Sequence, residues 1–469
     1  MTPPPAPHGQ PLRSPRAELR ALWTLALPAI AAQLAQFSMK VIDTLMAGRL
    51  GSDALAAVGV GGSVWMPLAI GSMGVLFSVS PSIAQAWGAG DRGECRRIGN
   101  DGVWLAGGMA LVLLALLQVA PLLMRGCGVE ERLIPPALSY LRATSLGVPA
   151  WMLFVVLRGV CDGAGQTRPI LFASLLGSVV NVVGNAALMF GWWGFPRLGV
   201  VGCGLATAFA QWSMAGWLVG WLAWQGRRGL VAPPALGPPR AAGVWHLLQV
   251  GVPIAVSLFL EVSCFAFSGL FIGRLGATAV AANQIALNLA SLTYMVPLGI
   301  SLALCVRVGQ WVGAGQPRQA RLVGLLGMGA CVAVMVLAAG AFLLFPVPIA
   351  RLYTDSPEVI EATCELLGLA GLFQLFDGLQ CAAGAALRGL KQTRLAMVVT
   401  LLAYWVVGLP LGLWLGLGRG WGAAGFWAAF IASLAIAGFA LAFRFLRAID
   451  QWPAAPANEA PALSASVPP

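Results

Sequence analysis

From Leu22 to Phe445 the chain is a succession of apolar runs of about twenty residues, separated by short loops that carry arginine. Wound as a helix rising about 1.5 Å per residue, such a run crosses a hydrocarbon layer of about 30 Å. Within that layer no water satisfies backbone N–H and C=O groups, so only helices or closed barrels are stable there. Barrel strands are short and alternate apolar with polar residues, and these runs do not. About twelve spans are expected, which predicts an all-α integral membrane protein. Composition agrees, with 59% of residues hydrophobic and 10% charged, against roughly 25% charged in a soluble domain. The 59 Gly and 31 Pro suit helices that pack in lipid through small residues and tolerate breaks.

The formal charge of +11 reads as a topology signal rather than as a nucleic-acid footprint. The larger share of the basic residues falls in alternate loops, among them Arg92, Arg96, Arg97, Arg227, Arg228, Arg318, Arg321 and Arg394. Lys and Arg stay on the inner face, so both termini are expected in the cytoplasm and no nucleic-acid partner is expected. Residues 1–21 are Pro-rich and lack the apolar centre of a signal peptide. They are expected to form a disordered cytoplasmic tail ahead of a retained first helix, and 448–469 a second such tail. Residues 226–244 read as a cytoplasmic linker. Nine Cys without CxxC or CxxH spacing suggest neither disulfides nor a metal site, and no cofactor is expected.

The chain also repeats itself. Residues 27–91 match 252–316 without a gap, at an offset of 225. Pro28 pairs with Pro253, Gly48-Arg49-Leu50-Gly51 with Gly273-Arg274-Leu275-Gly276, and Gln85 and Gly88 with Gln310 and Gly313. Farther on, Leu157-Arg158-Gly159 is paired with Leu387-Arg388-Gly389, and Gln166-Thr167-Arg168 with Gln392-Thr393-Arg394 after a four-residue slip. Six spans per half, an even number, make the halves enter from the same side, related by an axis along the membrane normal. The expected lobes are residues 22–225 and 245–447. In transporters such repeats place the substrate near the midplane between the halves.

Charges inside a membrane are costly, about 2.5–3.5 kcal/mol on the lenient scale, and are functional by default. Three carboxylates qualify: Asp43, Glu261 and Asp377. At the repeat offset Asp43 meets Ser268 and Glu261 meets Gln36, while Asp377 meets Gly147 at an offset of 230. No acid is duplicated, which favours coupling or binding over a scaffold role. A carboxylate in a partly dry cavity can exchange a proton near neutral pH or, with oxygen neighbours, hold Na+. With only His8 and His246 in the chain, no histidine relay is available. Lys40 lies one turn before Asp43, so a salt bridge competes with a functional role there. Arg142 can reach the interface by snorkelling. Asn181 and Asn185 share one helix face and could hydrogen-bond Asp43; Gln284 and Asn288 repeat the spacing, and Tyr294 offers a ring face to a cation. Interhelical hydrogen bonding accounts for such amides equally well. Neither HExxH nor GxSxG occurs, and no enzyme is expected.

The stretches LALPAIAAQLAQFSMKVIDTLMAGRLGSDALAAVG and AQAWGAGD, with GVPIAVSLFLEVSCFAFSGLFIGRLGATAVAANQIALN, VRVGQWVGAG and ALRGLKQTR, resemble the multidrug and toxic compound extrusion (MATE) transporters, in their NorM-like bacterial branch. The resemblance implies a V-shaped pair of six-helix lobes in the bacterial cytoplasmic membrane. It implies antiport of cationic or amphiphilic drugs against Na+ or H+, a source of antibiotic resistance. By position, Asp43 with Asn181, Asn185 and Thr207 resembles the acidic site of the first lobe. Glu261 and Asp377, with Tyr294 nearby, resemble the cation site of the second, where Na+ is possible. The alternative is a lipid-linked precursor flippase of the same superfamily, which would be expected to show a strongly cationic cavity. A monomer is expected.

Overall fold

The computed structural model describes residues 13–126, 128–228 and 237–452, and among these the only regular elements are helices. Twelve rods follow one another: α1 (Pro15–Leu50), α2 (Ser52–Gly88), α3 (Arg92–Leu117), α4 (Ile134–Ser145 and Val148–Gly163), α5 (Arg168–Phe190), α6 (Val200–Arg227), α7 (Ala241–Leu275), α8 (Ala277–Gly313), α9 (Pro317–Leu344), α10 (Pro357–Gly389), α11 (Thr393–Gly418) and α12 (Gly422–Asp450). Ten are continuous, long and apolar enough to cross a membrane, and α4 makes an eleventh although its two parts meet at 48°. The bend falls at Leu146 and Gly147, just ahead of Pro149, whose ring lacks the N–H that would bond back to Ser145. The twelfth rod, α6, has 28 residues, about 42 Å at helical rise, and is diluted by Gly, Ala and Gln.

The rods extend into segments the sequence assigns to tails and linker. Residues 1–12, His8 included, lie outside the described residues, but α1 starts at Pro15, with the Ser14 hydroxyl accepting from the Ala17 N–H as an N-cap. The helical start of residues 15–21 corrects the expected tail. Its reason is Glu18, which is buried against a cation from the other half. At the far end α12 runs to Asp450, and 453–469 lie outside the described residues. Of the expected linker, 229–236 lie outside them, and α6 and α7 take its two ends.

The repeat is three-dimensional. A Cβ on Gly74 would overlap Ala255, and one on Gly299 would overlap Ile30; each pair is the other shifted by 225. A Cβ on Gly88 would overlap the Gln310 carbonyl, and one on Gly313 the Gln85 carbonyl. So α1 packs on α8 and α2 on α7, with backbones close enough that only small residues fit. The same symmetry corrects the later register. Gly165 and Lys391 both adopt left-handed backbone, φ 74° and 58°, and Gly163 and Gly389 lie against equivalent atoms, Ser80 and Ile83 for one, Cys305 and Val308 for the other. The halves therefore match at 226 here. Arg388 is the counterpart of Asp162 rather than Arg158, and Asp377 that of Trp151 rather than Gly147.

The halves meet at one end and part towards the other. In α1 burial is dense from Ala21 to Ala32, then survives only at Asp43 and Ala47; in α7 it is dense from Leu247 to Ala255, then only at Cys264, Ser268 and Ile272. Beyond Ile30 and Ala255 each half closes around its own core, leaving a cleft between them. In α11 the helix widens to π-helical turns at Leu402–Gly408 and Trp414–Gly418, on either side of Pro410. Such turns are rare and concentrate at functional sites.

Candidate functional site

In the first half the carboxylate of Asp43 is buried where α1, α5 and α6 converge. Asn181 and Asn185, one turn apart on α5, donate from Nδ2 to Oδ1 at 3.0 and 2.6 Å. Thr207 on α6 donates from Oγ1 to Oδ2 at 3.2 Å. Both asparagines are wholly inaccessible, and Asp43 is 8% exposed. All three donors are neutral, and among the described residues no cation pairs with the acid. Lys40 is not its partner: it is exposed and points from α1 to Met66 on α2, with Nζ 3.6 Å from the sulfur. The salt bridge that the spacing allowed is therefore absent: a step of three residues leaves the two side chains about 60° apart around the helix, and Lys40 turns to Met66 while Asp43 turns inward. A buried carboxylate with polar neighbours but no countercharge can accept a proton or a small cation, and either supplies the missing positive charge.

In the second half Glu261 on α7 and Asp377 on α10 lie within Coulombic range of each other and of Tyr294 and Tyr404, and Arg388, about three turns beyond Asp377 on α10, is in Coulombic range of Glu261 without forming an ion pair with it. Glu261 keeps part of its surface accessible, whereas Asp377 is buried. Tyr294 reaches α10 one turn beyond Asp377, its Oη 3.3 Å from Cys381 Sγ. Tyr404, in the first π-helical turn of α11, donates from Oη to Gln380 Oε1 at 2.9 Å. Gln374, one turn before Asp377, is fully buried with neither Oε1 nor Nε2 bonded to protein. Two carboxylates and two phenols thus converge on one region, with the unbonded amide of Gln374 one turn away on α10, and such oxygen atoms suit a proton or a hard monovalent cation. No group of three or more His, Cys, Asp or Glu that could hold a transition metal occurs among the described residues.

Two expected members stand apart. Gln284 and Asn288 are exposed on α8, and the hydrogen bond Asn288 makes is to the Gln284 backbone carbonyl, 3.0 Å away. Their buried neighbour is Asn283, whose Oδ1 accepts from Trp427 Nε1 at 3.0 Å. Sequence reasoning also passed over Gln374, Gln380 and Tyr404. For the glutamines a signal existed, since both lie on α10 within one turn of Asp377; nothing in the sequence around Tyr404 announces a π-helical turn.

At the closed end the halves are tied by polar bonds as well as by glycines. Gln85 Nε2 donates to the Gly389 carbonyl at 2.8 Å, and its repeat partner Gln310 donates from Nε2 to the Gly163 carbonyl at 3.1 Å. Arg307 adds a buried pair to Glu18 across the halves, 2.7 and 2.9 Å to its two oxygens.

Comparison with known proteins points to one family across both halves. The MatE family profile matches residues 28–187 and 253–414, one segment per half. The multidrug resistance protein PmpM of Pseudomonas aeruginosa is 38% identical over 445 residues, covering 92% of both chains. Among solved structures, the MATE transporter VcmN of Vibrio cholerae superposes with a TM-score of 0.85 at 20% identity, covering 93% of this chain and 98% of that one. A MOP superfamily transporter from Pyrococcus furiosus gives 0.85 at 19% identity, covering 94% and 99%. With two thirds of its length in the family profile and a relative matched nearly end to end, the chain is a multi-pass membrane protein that belongs to the MatE family of transporters.

Proposed function

We propose that this protein exports cationic or amphiphilic organic compounds, many of them toxic, in exchange for inward Na+ or H+. One observation carries the reading: the buried carboxylate of Asp43 is held by three neutral donors, and neither it nor Glu261 nor Asp377 takes part in an ion pair among the described residues, Arg388 being a cation in Coulombic range of Glu261. The name of the relative PmpM, a multidrug resistance protein, supports the choice of substrate. In this reading Glu261 and Asp377, with Tyr294, Tyr404 and Gln374 around them, take the inward ion. Asp43, with Asn181, Asn185 and Thr207, is a second acid site whose protonation or occupancy alters the packing of α1 on α5 and α6. Gln284 and Asn288 belong to the exposed face of α8, outside the ion site.

The lobes are residues 22–225 and 245–447, extended by the helical ends at Pro15 and Asp450, with both termini in the cytoplasm of a bacterial cell and the closed end facing inward. Transport then alternates by parting the closed end around Gln85, Gly88, Gln310 and Gly313 while the open cleft shuts. The monomer contains both halves and so both sites. The flippase reading asks for a strongly cationic central cavity between the halves, whereas the intramembrane charges singled out in the two halves, Asp43, Glu261 and Asp377, are acidic.

The test is accumulation of a fluorescent cationic dye by cells that lack other exporters. Cells expressing the protein should hold several-fold less dye than controls, and cells expressing Asp377→Asn at equal membrane abundance should match controls. Equal accumulation with and without the wild-type protein would reject drug export.

A further inference from the structure

On the face where the halves close, α7, α11 and α12 surround a cavity of about 480 Å³ lined by His246, Gln249, Lys391, Thr393, Arg394 and Arg444. No carboxylate lines it. Among the described residues Lys391, Arg394 and Arg444 take part in none of the ion pairs, and Nε of Arg444 is buried without a hydrogen-bond partner. The acid in Coulombic range of Lys391 is Glu94, which is already engaged by Arg240 and Arg97.

Lys391 itself is conspicuous. Its backbone is left-handed at a position where the other half has Gly165, so a side chain is held where glycine would sit without strain. Lys391 and His246 also border a neighbouring cavity that holds Asp91, Glu94 and Asp101, but none of these acids forms an ion pair with Lys391, Arg394 or Arg444; an anion among the three cations removes their mutual repulsion.

The surroundings indicate what kind of anion. Deeper along the same helices, α7 exposes Val252, Val256 and Phe259, and α11 exposes Leu395, Val398 and Leu402. Each set follows a spacing of three or four residues, so each forms a stripe along one helix face. A cationic cavity at the membrane edge continued by apolar stripes matches a phosphate head carrying acyl chains, whereas a free phosphate would use only the upper part.

We propose that this cavity binds the phosphate headgroup of an anionic phospholipid, whose chains lie along the exposed faces of α7 and α11. The site is separate from the acids of the transport pathway. Near an anionic surface each basic residue contributes about fivefold to binding, so loss of two should weaken it roughly 30-fold.

The experiment is native mass spectrometry of the full chain released from detergent with added phosphatidylglycerol or phosphatidylcholine. The wild type should retain phosphatidylglycerol in preference, R394Q/R444Q should retain it roughly 30-fold less, and R228Q, on the same face but outside the cavity, should match the wild type. Lys391→Gly, which restores the residue the left-handed backbone favours and so keeps the fold, should lose about fivefold. Equal retention of the two lipids, or an equal loss in R228Q, would overturn the proposal. Displacement of phosphatidylglycerol by millimolar inorganic phosphate would also overturn it, by assigning the cavity to a free anion.

Discussion

Arg307, near the end of α8, holds both carboxylate oxygens of Glu18, at the start of α1, at 2.7 and 2.9 Å, with both residues 1% exposed. The pair joins the first helix of one half to the second half at the closed end. Arg307→Met leaves the buried Glu18 with only the longer contact to Arg13, 3.8 Å away, so it is expected to cost about 3 kcal/mol, the lower end for a broken buried pair, read as a lower thermal unfolding midpoint in detergent. Glu18→Gln combined with Arg307→Met should recover most of the loss. An unchanged midpoint in the single variant would show that the pair is already open in solution.

The glycines at the same end make a prediction about conformation. Gly88→Val places a branched side chain into the Gln310 carbonyl, and the neighbour is backbone, which cannot rotate away. The closed end should part. Spin labels at Arg96 and Arg318 in a cysteine-depleted background should move farther apart, and transport should fall by at least tenfold. Gly107→Val, at a position with open space beside it, should change neither.

How much of this was legible beforehand depends on what spacing can encode. Spacing at i and i+4 puts Asn181 and Asn185 on one face of α5, and the family resemblance, rather than the spacing, pairs that face with Asp43 on α1. Gln284 and Asn288 have the same spacing and point elsewhere, since spacing fixes which residues share a face but not which way the face looks. The misread register of Arg388 has a similar cause. A slip of four residues is close to one helical turn, so it leaves the apolar face unchanged, and the short identity Leu-Arg-Gly outweighed it. Glu18 and Arg307 are separated by 289 positions, and the acid sits in a Pro-rich stretch whose composition reads as a tail.

For the first-half acid, Asp43→Asn keeps the shape and removes the charge. Its three donors then face an amide, and export is expected to fall at least tenfold at unchanged membrane abundance. Asn185→Leu instead leaves the carboxylate with two donors and should cost about 1–3 kcal/mol in stability, measured by thermal unfolding. Normal export by Asp43→Asn would make the cluster a packing element only.

Arg240 tests how the second half is moored to the first. Its side chain donates to Glu94 at 3.1 Å and to Asp101 at 2.7 Å, and its backbone N–H donates to Asp101 at 3.0 Å. The hydrogen bond to Glu94, aided by Asp101, raises the guanidinium above its ordinary value, so the network keeps its charge at every physiological pH. Because Arg240 is 38% exposed while Asp101 is 1% exposed, the screened cost of Arg240→Ala should be about 1–3 kcal/mol. Asp101→Asn in the same background should restore part of it, as read by denaturant midpoint.

Export in the proposed cycle depends on an inward ion carried by Glu261 and Asp377. Its most direct test is dye movement in proteoliposomes of controlled orientation, with a sodium gradient or a proton gradient imposed separately, for wild type, Glu261→Gln and Asp377→Asn. Export in the wild type under at least one gradient, abolished in both variants while the protein stays folded, is the expected result. Dye export that persists in both variants under the same gradient would contradict it.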